Sequence, residues 1–163
     1  MRFSLIDRIT DLREGESVTA VKVLTLAEEY LADHFPRFPV MPGVMMLESL
    51  FQAATWLVRK SEDFAHSMVV LREARNVKFS SFVEPGQVLV VKATIVKQDD
   101  TLTTLKTEAT VEGRTAVSAK LVLERYNLAE RYPTRAATDA YTVRRCREHF
   151  ELLYWPTPVE SVG

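Results

Sequence analysis

The alternation of apolar and polar residues along the second half of the chain predicts a run of consecutive strands. Residues 117–124 place apolar side chains at every second position, which is typical of a strand with one buried face. Residues 17–25 are rich in β-branched side chains and predict the first strand of the chain, and residues 26–33 predict a turn or a single helical turn. The other strands are predicted over 67–79, 87–98, 102–112 and 115–125, with turns at 84–86, 98–100 and 112–114.

A long apolar segment precedes these four strands and predicts a helix. The helix begins near Pro42 or Gly43, since proline is well tolerated at the first helical position, and runs to about Lys60. Apolar side chains occupy nearly every face of it, which is typical of a buried helix. One buried helix followed by an antiparallel meander favours an α+β fold in which the sheet curls around the helix.

The chain changes character after Asn127. A break at residues 132–134 precedes an amphipathic segment, residue 139 to about residue 155, which predicts a second helix. We therefore predict a domain over 1–127 and a C-terminal extension over 128–163, which is helical and packs on that domain or in an oligomer contact. The apolar stripe of this helix consists of Val143, Cys146, Phe150 and Leu153.

Composition and charge restrict the class of protein. With 163 residues, of which 47% are hydrophobic and 26% charged, the chain has the profile of a single soluble globular domain. A net charge of −1 gives no reason to expect binding to nucleic acid or to an anionic membrane. No apolar run approaches the roughly 20 residues of a membrane-spanning helix, and Asp7 and Arg8 interrupt the segment where an export signal needs its apolar core. The single cysteine, Cys146, excludes an intrachain disulfide, and we expect a cytoplasmic protein without membrane insertion.

The candidate chemistry lies between residues 33 and 52. His34 precedes a proline-rich loop, and a lone histidine in that setting is more often a loop or core residue than a catalyst. Glu48 is more informative, because it lies roughly 7–8 Å into an apolar helix, past the turn where a carboxylate offsets the helix dipole. Burial raises the pKa of such an acid and keeps a proton available for donation. Gln52, one turn further on the same face, can orient Glu48 through a hydrogen bond.

Gly43 marks the predicted N-terminus of the same helix. Without a side chain it lets a substrate carbonyl approach free backbone N–H groups, where the positive end of the helix dipole stabilises developing negative charge. It is equally well explained as a plain helix-start glycine. The three histidines, His34, His66 and His149, show no metal-ligand spacing, so we expect neither a metal nor an organic cofactor.

This segment resembles the active-site motif of the FabZ-type (3R)-hydroxyacyl-[acyl carrier protein] dehydratases, which have the hotdog fold. The matching residues are His34-Phe35-Pro36, Pro39-Val40-Met41-Pro42-Gly43-Val44, Glu48 and Gln52, with residues 3–9 and 79–86 similar to the family's opening and strand-turn signature. The resemblance implies a hotdog fold, in which a curled antiparallel sheet holds a long helix, assembled as a homodimer or a trimer of dimers. It also implies dehydration of 3-hydroxyacyl thioesters to trans-2-enoyl thioesters in fatty acid or related lipid biosynthesis.

The resemblance assigns a role to each matching residue. His34 of one subunit removes the C2 proton, and Glu48 of the other subunit protonates the departing hydroxyl. The Gly43 N–H binds the thioester oxygen, and Gln52 is a further substrate-binding residue. The implied partner is an acyl carrier protein bearing the 3-hydroxyacyl group. Because such carriers are acidic, basic side chains near the site are expected, and the available ones are Arg59, Lys60, Arg72, Arg75 and Lys78.

The chain departs from the family pattern next to the motif. Asp33 and Arg37 flank His34-Phe35-Pro36 where the family usually has glycine, so a different loop shape is expected around Arg37. Residues 49–51 are bulkier than usual and could reshape an acyl tunnel. Two alternatives to a dehydratase follow: a hotdog thioesterase, and a non-catalytic acyl-binding accessory protein.

Overall fold

The computed structural model describes residues 3–156, which form one six-stranded sheet with antiparallel neighbours throughout. The four strands predicted in the second half of the chain are confirmed, each boundary to within one residue. The strand order is β1-β2-β4-β5-β6-β3. The strands are β1 (Arg8–Arg13), β2 (Ser17–Val23), β3 (Met68–Phe79), β4 (Val88–Gln98), β5 (Leu102–Val111) and β6 (Arg114–Tyr126).

Strand β1 was missed by the sequence prediction, so the strand predicted as first is the second. Its sequence, RITDLR, contains three charged residues among six and lacks a strong strand pattern of its own. It forms because it pairs with β2 across the turn at Gly15, whose φ of +73° suits glycine. Ile9 is then fully buried. Tertiary pairing thus overrides weak local propensity here.

Two helices lead from β2 into the interior of the curled sheet. A single turn, α1 (Tyr30–Asp33), confirms the short element expected before the prolines. The central helix α2 (Gly43–Ser61) begins and ends within one residue of its predicted bounds. It packs against β2, β4, β5 and β6, and its residues Met46, Leu50, Ala53, Ala54, Leu57 and Val58 belong to the main hydrophobic core.

The expectation that α2 is buried on every side is wrong for the single chain. Val44 is 68% exposed, and Leu47, Glu48, Phe51 and Gln52 are only half-buried. The sheet covers one face of the helix, and nothing among residues 3–156 fully covers the other. An apolar helical face left in this condition is typical of an interface or a ligand site.

Strand β3 forms one edge of the sheet and, within residues 3–156, pairs only with β6. It is 12 residues long, and most of its side chains are exposed, including Leu71 and Phe79. A long edge strand presents unpaired backbone N–H and C=O groups to its surroundings. This edge is therefore available for pairing with another strand.

The C-terminal helix α4 (Ala136–Leu153) packs on the same chain. It follows α3 (Leu128–Arg131) and a 3₁₀ turn at Pro133–Arg135, where the break was predicted, and it starts three residues before its predicted start at residue 139. Phe150 and Leu153 are buried in the main core, and the Trp155 N–H donates to Ile9 O of β1 (2.9 Å). A contact of this extension with a second subunit stays a prediction. Residues 157–163, at its end, lie outside the described part of the chain.

No helix among residues 3–156 combines the length and the apolar character of a membrane span.

Candidate active site

His34 lies where α1 ends, at the start of the proline-rich loop. Its backbone N–H donates to Tyr30 O (3.1 Å), which closes the single turn of α1, and its side chain is half-buried. The imidazole packs against the ring of Phe35, with 4.3 Å between ring centroids. Phe35 has a φ of +49°, a left-handed conformation that costs a bulky residue energy. The loop thus holds His34 beside a strained neighbour.

The loop that contains Arg37 takes a positive φ at Phe35. The Phe38 N–H donates to Phe35 O (2.8 Å), which closes a tight turn over Pro36 and Arg37. Arg37 keeps an ordinary φ and is exposed. Pro36 occupies the second position of this turn, where the φ near −65° that proline imposes is favourable.

Tyr30, the first residue of α1, contacts the start of this loop through its backbone oxygen, which accepts the His34 N–H. Its ring packs against Phe3 at 6.2 Å between centroids, and its hydroxyl is buried without a hydrogen-bond partner among residues 3–156. Burial raises the pKa of this phenol, and the carboxylates of Glu28 and Asp7 raise it further. The Tyr30 phenol therefore keeps its proton near neutral pH.

An apolar cavity of about 520 Å³ opens beside His34. It is lined by the His34 loop, by the first turn of α2 with Gly43 and Met46, and by the end of β3 with the loop that follows it. This volume lies in the range of about 300–1,000 Å³ typical of small-molecule sites. His34 and Gly43, predicted from sequence as site residues, are thus brought together in one cavity.

Gly43 is the first residue of α2, and no side chain among residues 3–156 caps this terminus. The first N–H groups of a helix have no intrahelical acceptor, so they remain free to bind an oxygen atom at the cavity wall. A Cβ atom at Gly43 would lie 3.1 Å from Cε1 of Phe79, closer than ordinary packing allows. A side chain at position 43 would therefore push the half-exposed Phe79 ring aside by a few tenths of an ångström.

Glu48 and Gln52 form a hydrogen-bonded pair on α2, as the helical spacing predicted. Gln52 Nε2 donates to Glu48 Oε1 (3.0 Å) and to Phe3 O (3.0 Å). Gln52 Oε1 accepts the Leu5 N–H (2.9 Å). The N-terminal segment thus fixes the Gln52 amide, which in turn fixes one carboxylate oxygen of Glu48. Both side chains are half-buried rather than buried.

The structure does not bring Glu48 into the His34 cavity. Glu48 follows Gly43 by five residues, which at 3.6 residues per turn places the two roughly 140° apart around the helix axis. The cavity is lined by His34 and Gly43 but not by Glu48 or Gln52. Within one chain, the predicted base and the predicted acid therefore lie in separate places.

Aromatic residues at the mouth of the cavity were missed as site residues. Phe79 and Phe82 line it from the end of β3, and the Phe82 ring meets the edge of Phe38 at 5.5 Å between centroids. Phe35, Phe38, Phe79 and Phe82 are all about half exposed or more. The sequence did contain an indication, since residues 79–86 resemble a signature of the family. The apolar pattern of these residues, however, gave no reason to place Phe79 and Phe82 at the site.

Arg59, one of the basic residues available for a carrier protein, is turned inward. It is 8% exposed, and its guanidinium donates to His66 O (3.1 Å) and Ser67 O (3.0 Å). Burial lowers the pKa of this guanidinium, while the charges of Cys146 and Glu62 act in the opposite direction. Arg59 is therefore not part of an outer basic surface.

Comparison with known proteins shows which family the chain belongs to. Residues 1–120 match the family model described as a FabA-like domain. The chain is 43% identical over 116 residues to the 3-hydroxyacyl-[acyl-carrier-protein] dehydratase FabZ of Levilactobacillus brevis, covering 71% of this chain and 78% of the relative. It is 39% identical over 119 residues to the protein of the same name from Lactococcus lactis, covering 73% and 82%.

A solved structure supports the fold. The dehydratase heterocomplex ApeI:P of Xenorhabdus doucetiae matches with a TM-score of 0.65 at 19% identity, over 82% of this chain and 90% of that one. At this identity the likeness concerns the fold alone, and the predicted hotdog fold is confirmed. The family match ends at residue 120, so α3 and α4 lie beyond it.

Proposed function

This chain belongs to the FabA-like family, among its FabZ-type dehydratases, and we propose that it dehydrates a 3-hydroxyacyl chain held as a thioester on an acyl carrier protein. The product is the trans-2-enoyl thioester, formed in fatty acid or related lipid biosynthesis. One observation carries the proposal: His34 and the uncapped start of α2 at Gly43 line the same apolar cavity. A base and an oxyanion-binding terminus are thereby available to one thioester.

The proposed reaction uses three groups. His34 accepts the proton from C2 of the acyl chain, and the negative charge that develops on the thioester oxygen is stabilised by the Gly43 N–H at the positive end of α2. Glu48 donates a proton to the hydroxyl on C3, which leaves as water while the C2–C3 double bond forms. Gln52 holds Glu48 in place through the hydrogen bond at 3.0 Å.

The proposal includes a homodimer, or a trimer of such dimers. Two observations support it: His34 and Glu48 lie apart within one chain, and both the β3 edge and one face of α2 remain uncovered. If β3 pairs with its copy, each α2 faces a second subunit, and Glu48 of that subunit can reach the His34 cavity. The site is then shared between subunits.

The proposed partner is an acyl carrier protein, and a cytoplasmic location belongs to the same proposal. Of the basic residues named as available, Lys60, Arg72 and Arg75 form ion pairs with Glu14, Glu124 and Glu73. Lys78 has no ion pair among residues 3–156, but it does not line the His34 cavity, because it faces the opposite side of β3 from Phe79. The single cysteine of the chain fits a reducing compartment.

Replacement of His34 tests the function. H34A is expected to lower kcat/KM for hydration of a crotonyl thioester by about 10²–10⁴-fold, the usual contribution of a general base. H66A is the matched control, because His66 bonds Glu62 and does not line the cavity. Circular dichroism shows whether both variants keep the fold.

The products decide between this function and its alternatives. Retention of full activity by H34A would contradict the assigned base. Release of free acid and thiol by the wild-type protein would instead indicate a thioesterase. Binding of acyl thioesters without any turnover would indicate an accessory protein.

A further inference from the structure

A second cavity lies between α2, α4 and the N-terminal segment. Its volume is about 440 Å³, again within the range typical of ligand sites. The apolar part of its lining comes from Phe3, Ile6, Phe51, Trp56, Val69 and Leu153. The site described above uses none of this space.

The second cavity adjoins the Glu48–Gln52 pair. Gln52 lines it while donating to Glu48, so this side chain forms the boundary between the acid and the cavity. Thr55 and Arg59 continue the same face of α2, and Arg59 lies roughly 10 Å along the helix from Gln52. The Thr55 hydroxyl is buried and has no hydrogen-bond partner among residues 3–156. The cavity thus extends from Gln52, which is bonded to Glu48, toward the buried guanidinium of Arg59.

Helix α4 supplies the outer wall of this cavity. Cys146, His149 and Leu153 line it, and their spacing of three and four residues places them on one helical face. The wall is held firmly, because Phe150 packs on Phe64 (5.8 Å) and Trp56 (6.1 Å). The family match ends at residue 120, so this wall belongs to the part of the chain beyond it.

We propose that the second cavity receives the distal hydrocarbon chain of the acyl substrate, and that α4 sets the longest chain that fits. The inference rests on the proposed dehydratase function. Each buried methylene strengthens binding about fourfold, equivalent to about 0.8 kcal/mol. Arg59 closes the far end, because bringing hydrocarbon against a buried cation is unfavourable. With that end fixed, the room left for the chain depends on the side wall of the cavity, where Cys146 of α4 lies.

The test uses Cys146, the single cysteine of the chain. In folded protein its thiolate attacks the sulfenyl sulfur of butyl methanethiosulfonate, a disulfide bond forms as methanesulfinate leaves, and the attached butylthio group is expected to fill part of the cavity. Hydration is then measured on trans-2-butenoyl and trans-2-decenoyl N-acetylcysteamine thioesters. Loss of space for two or more methylenes is expected to lower kcat/KM about tenfold or more for decenoyl, with butenoyl changed less than about twofold. Dithiothreitol should restore the original values.

A relocated cysteine provides the matched control. In C146S/E151C the reactive thiol moves to an exposed position of α4 that lines neither cavity. The same treatment is expected to leave the ratio of decenoyl to butenoyl activity unchanged. Equal effects on both substrates after modification of Cys146, or no effect, would overturn the role of α4.

A binding measurement separates this inference from the proposed function. Trp56 lines the cavity, and in W155F it is the only remaining tryptophan of the two in the chain. Decenoyl thioester is expected to change Trp56 fluorescence, whereas butenoyl thioester is too short to do so. Unchanged emission at saturating decenoyl would overturn the inference even if turnover is normal. An absence of turnover with a normal fluorescence change would count against the dehydratase function alone.

Discussion

Gly43 is the residue where packing and the proposed chemistry both favour glycine. A methyl group there would meet the Phe79 ring at 3.1 Å and displace the wall of the His34 cavity. Because small misplacements of reacting groups cost about 10²-fold in rate, G43A is expected to lower kcat/KM to that extent while the protein remains folded. Steady-state kinetics with a crotonyl thioester measure the change.

The control for G43A is a compensating change at Phe79. Leucine is smaller than phenylalanine at the point of contact, so G43A/F79L is expected to recover much of the lost activity. If F79L alone is active and the double variant is as impaired as G43A, the contact with Phe79 is not the cause.

The hydrogen bond from Gln52 to Glu48 could be predicted from sequence because it depends only on helical spacing. The half-burial of Glu48 could not, since it depends on what covers the outer face of α2. The positive φ of Phe35 was not predicted either, since the departures at Asp33 and Arg37 indicated only an altered loop shape. The path of the chain between two elements decides that position.

Among the elements, α4 depends on a narrow buried stripe. Leu153 is 7% exposed and packs in the main core, whereas the adjacent Leu152 is 73% exposed. L153A is expected to lower the free energy of unfolding by about 2–5 kcal/mol. L152A, a chemically identical change, is expected to alter it by less than about 0.5 kcal/mol. Urea denaturation measures both values, and equal effects would contradict the packing of α4 on its own chain.

Asp139 anchors the start of α4 in a manner that depends on pH. Its carboxylate accepts hydrogen bonds from the Ser67 hydroxyl and from the N–H groups of Leu128 and Ala129. Burial raises the pKa of Asp139, but these three hydrogen bonds outweigh that effect, so its pKa lies below the ordinary value. A lowered folded-state pKa contributes stability in full above the unfolded pKa of about 3.9, and the contribution is lost as pH falls through the folded pKa.

D139N tests this anchor. The variant is expected to be less stable than wild type at pH 7, and the difference is expected to shrink below about pH 3.9 as the native carboxylate protonates. Urea denaturation at pH 7 and at acid pH measures it. E151Q, at an exposed position of the same helix, serves as control. A difference that stays constant with pH would exclude the carboxylate as the cause.

At the scale of the whole molecule, a shared site predicts complementation between inactive variants. H34A and E48Q are each expected to be inactive, but a mixed dimer contains one site with both native groups. After random exchange, half of the dimers are mixed, so roughly a quarter of wild-type activity is expected to return. The measurement compares the two pure variants with their mixture after co-refolding, and light scattering gives the mass of the assembly. A mixture no more active than its parents would place the site within one chain.

What the sequence determined by itself about this protein is local. The period of the apolar pattern identified α2 and four strands, because helices and strands impose their own spacing on a buried face. The His34–Gln52 motif named the chemistry, because residue types and their spacing along the chain carry it.

Only the tertiary structure decided which of these residues meet. It brought the end of β3 against Gly43, recruited the weak strand β1, left one face of α2 uncovered and laid α4 against that helix. Each of these depends on contacts between residues far apart in the chain, which no local pattern encodes. The separation of His34 from Glu48 has the same origin, since the folded chain places His34 in the cavity and leaves Glu48 outside it.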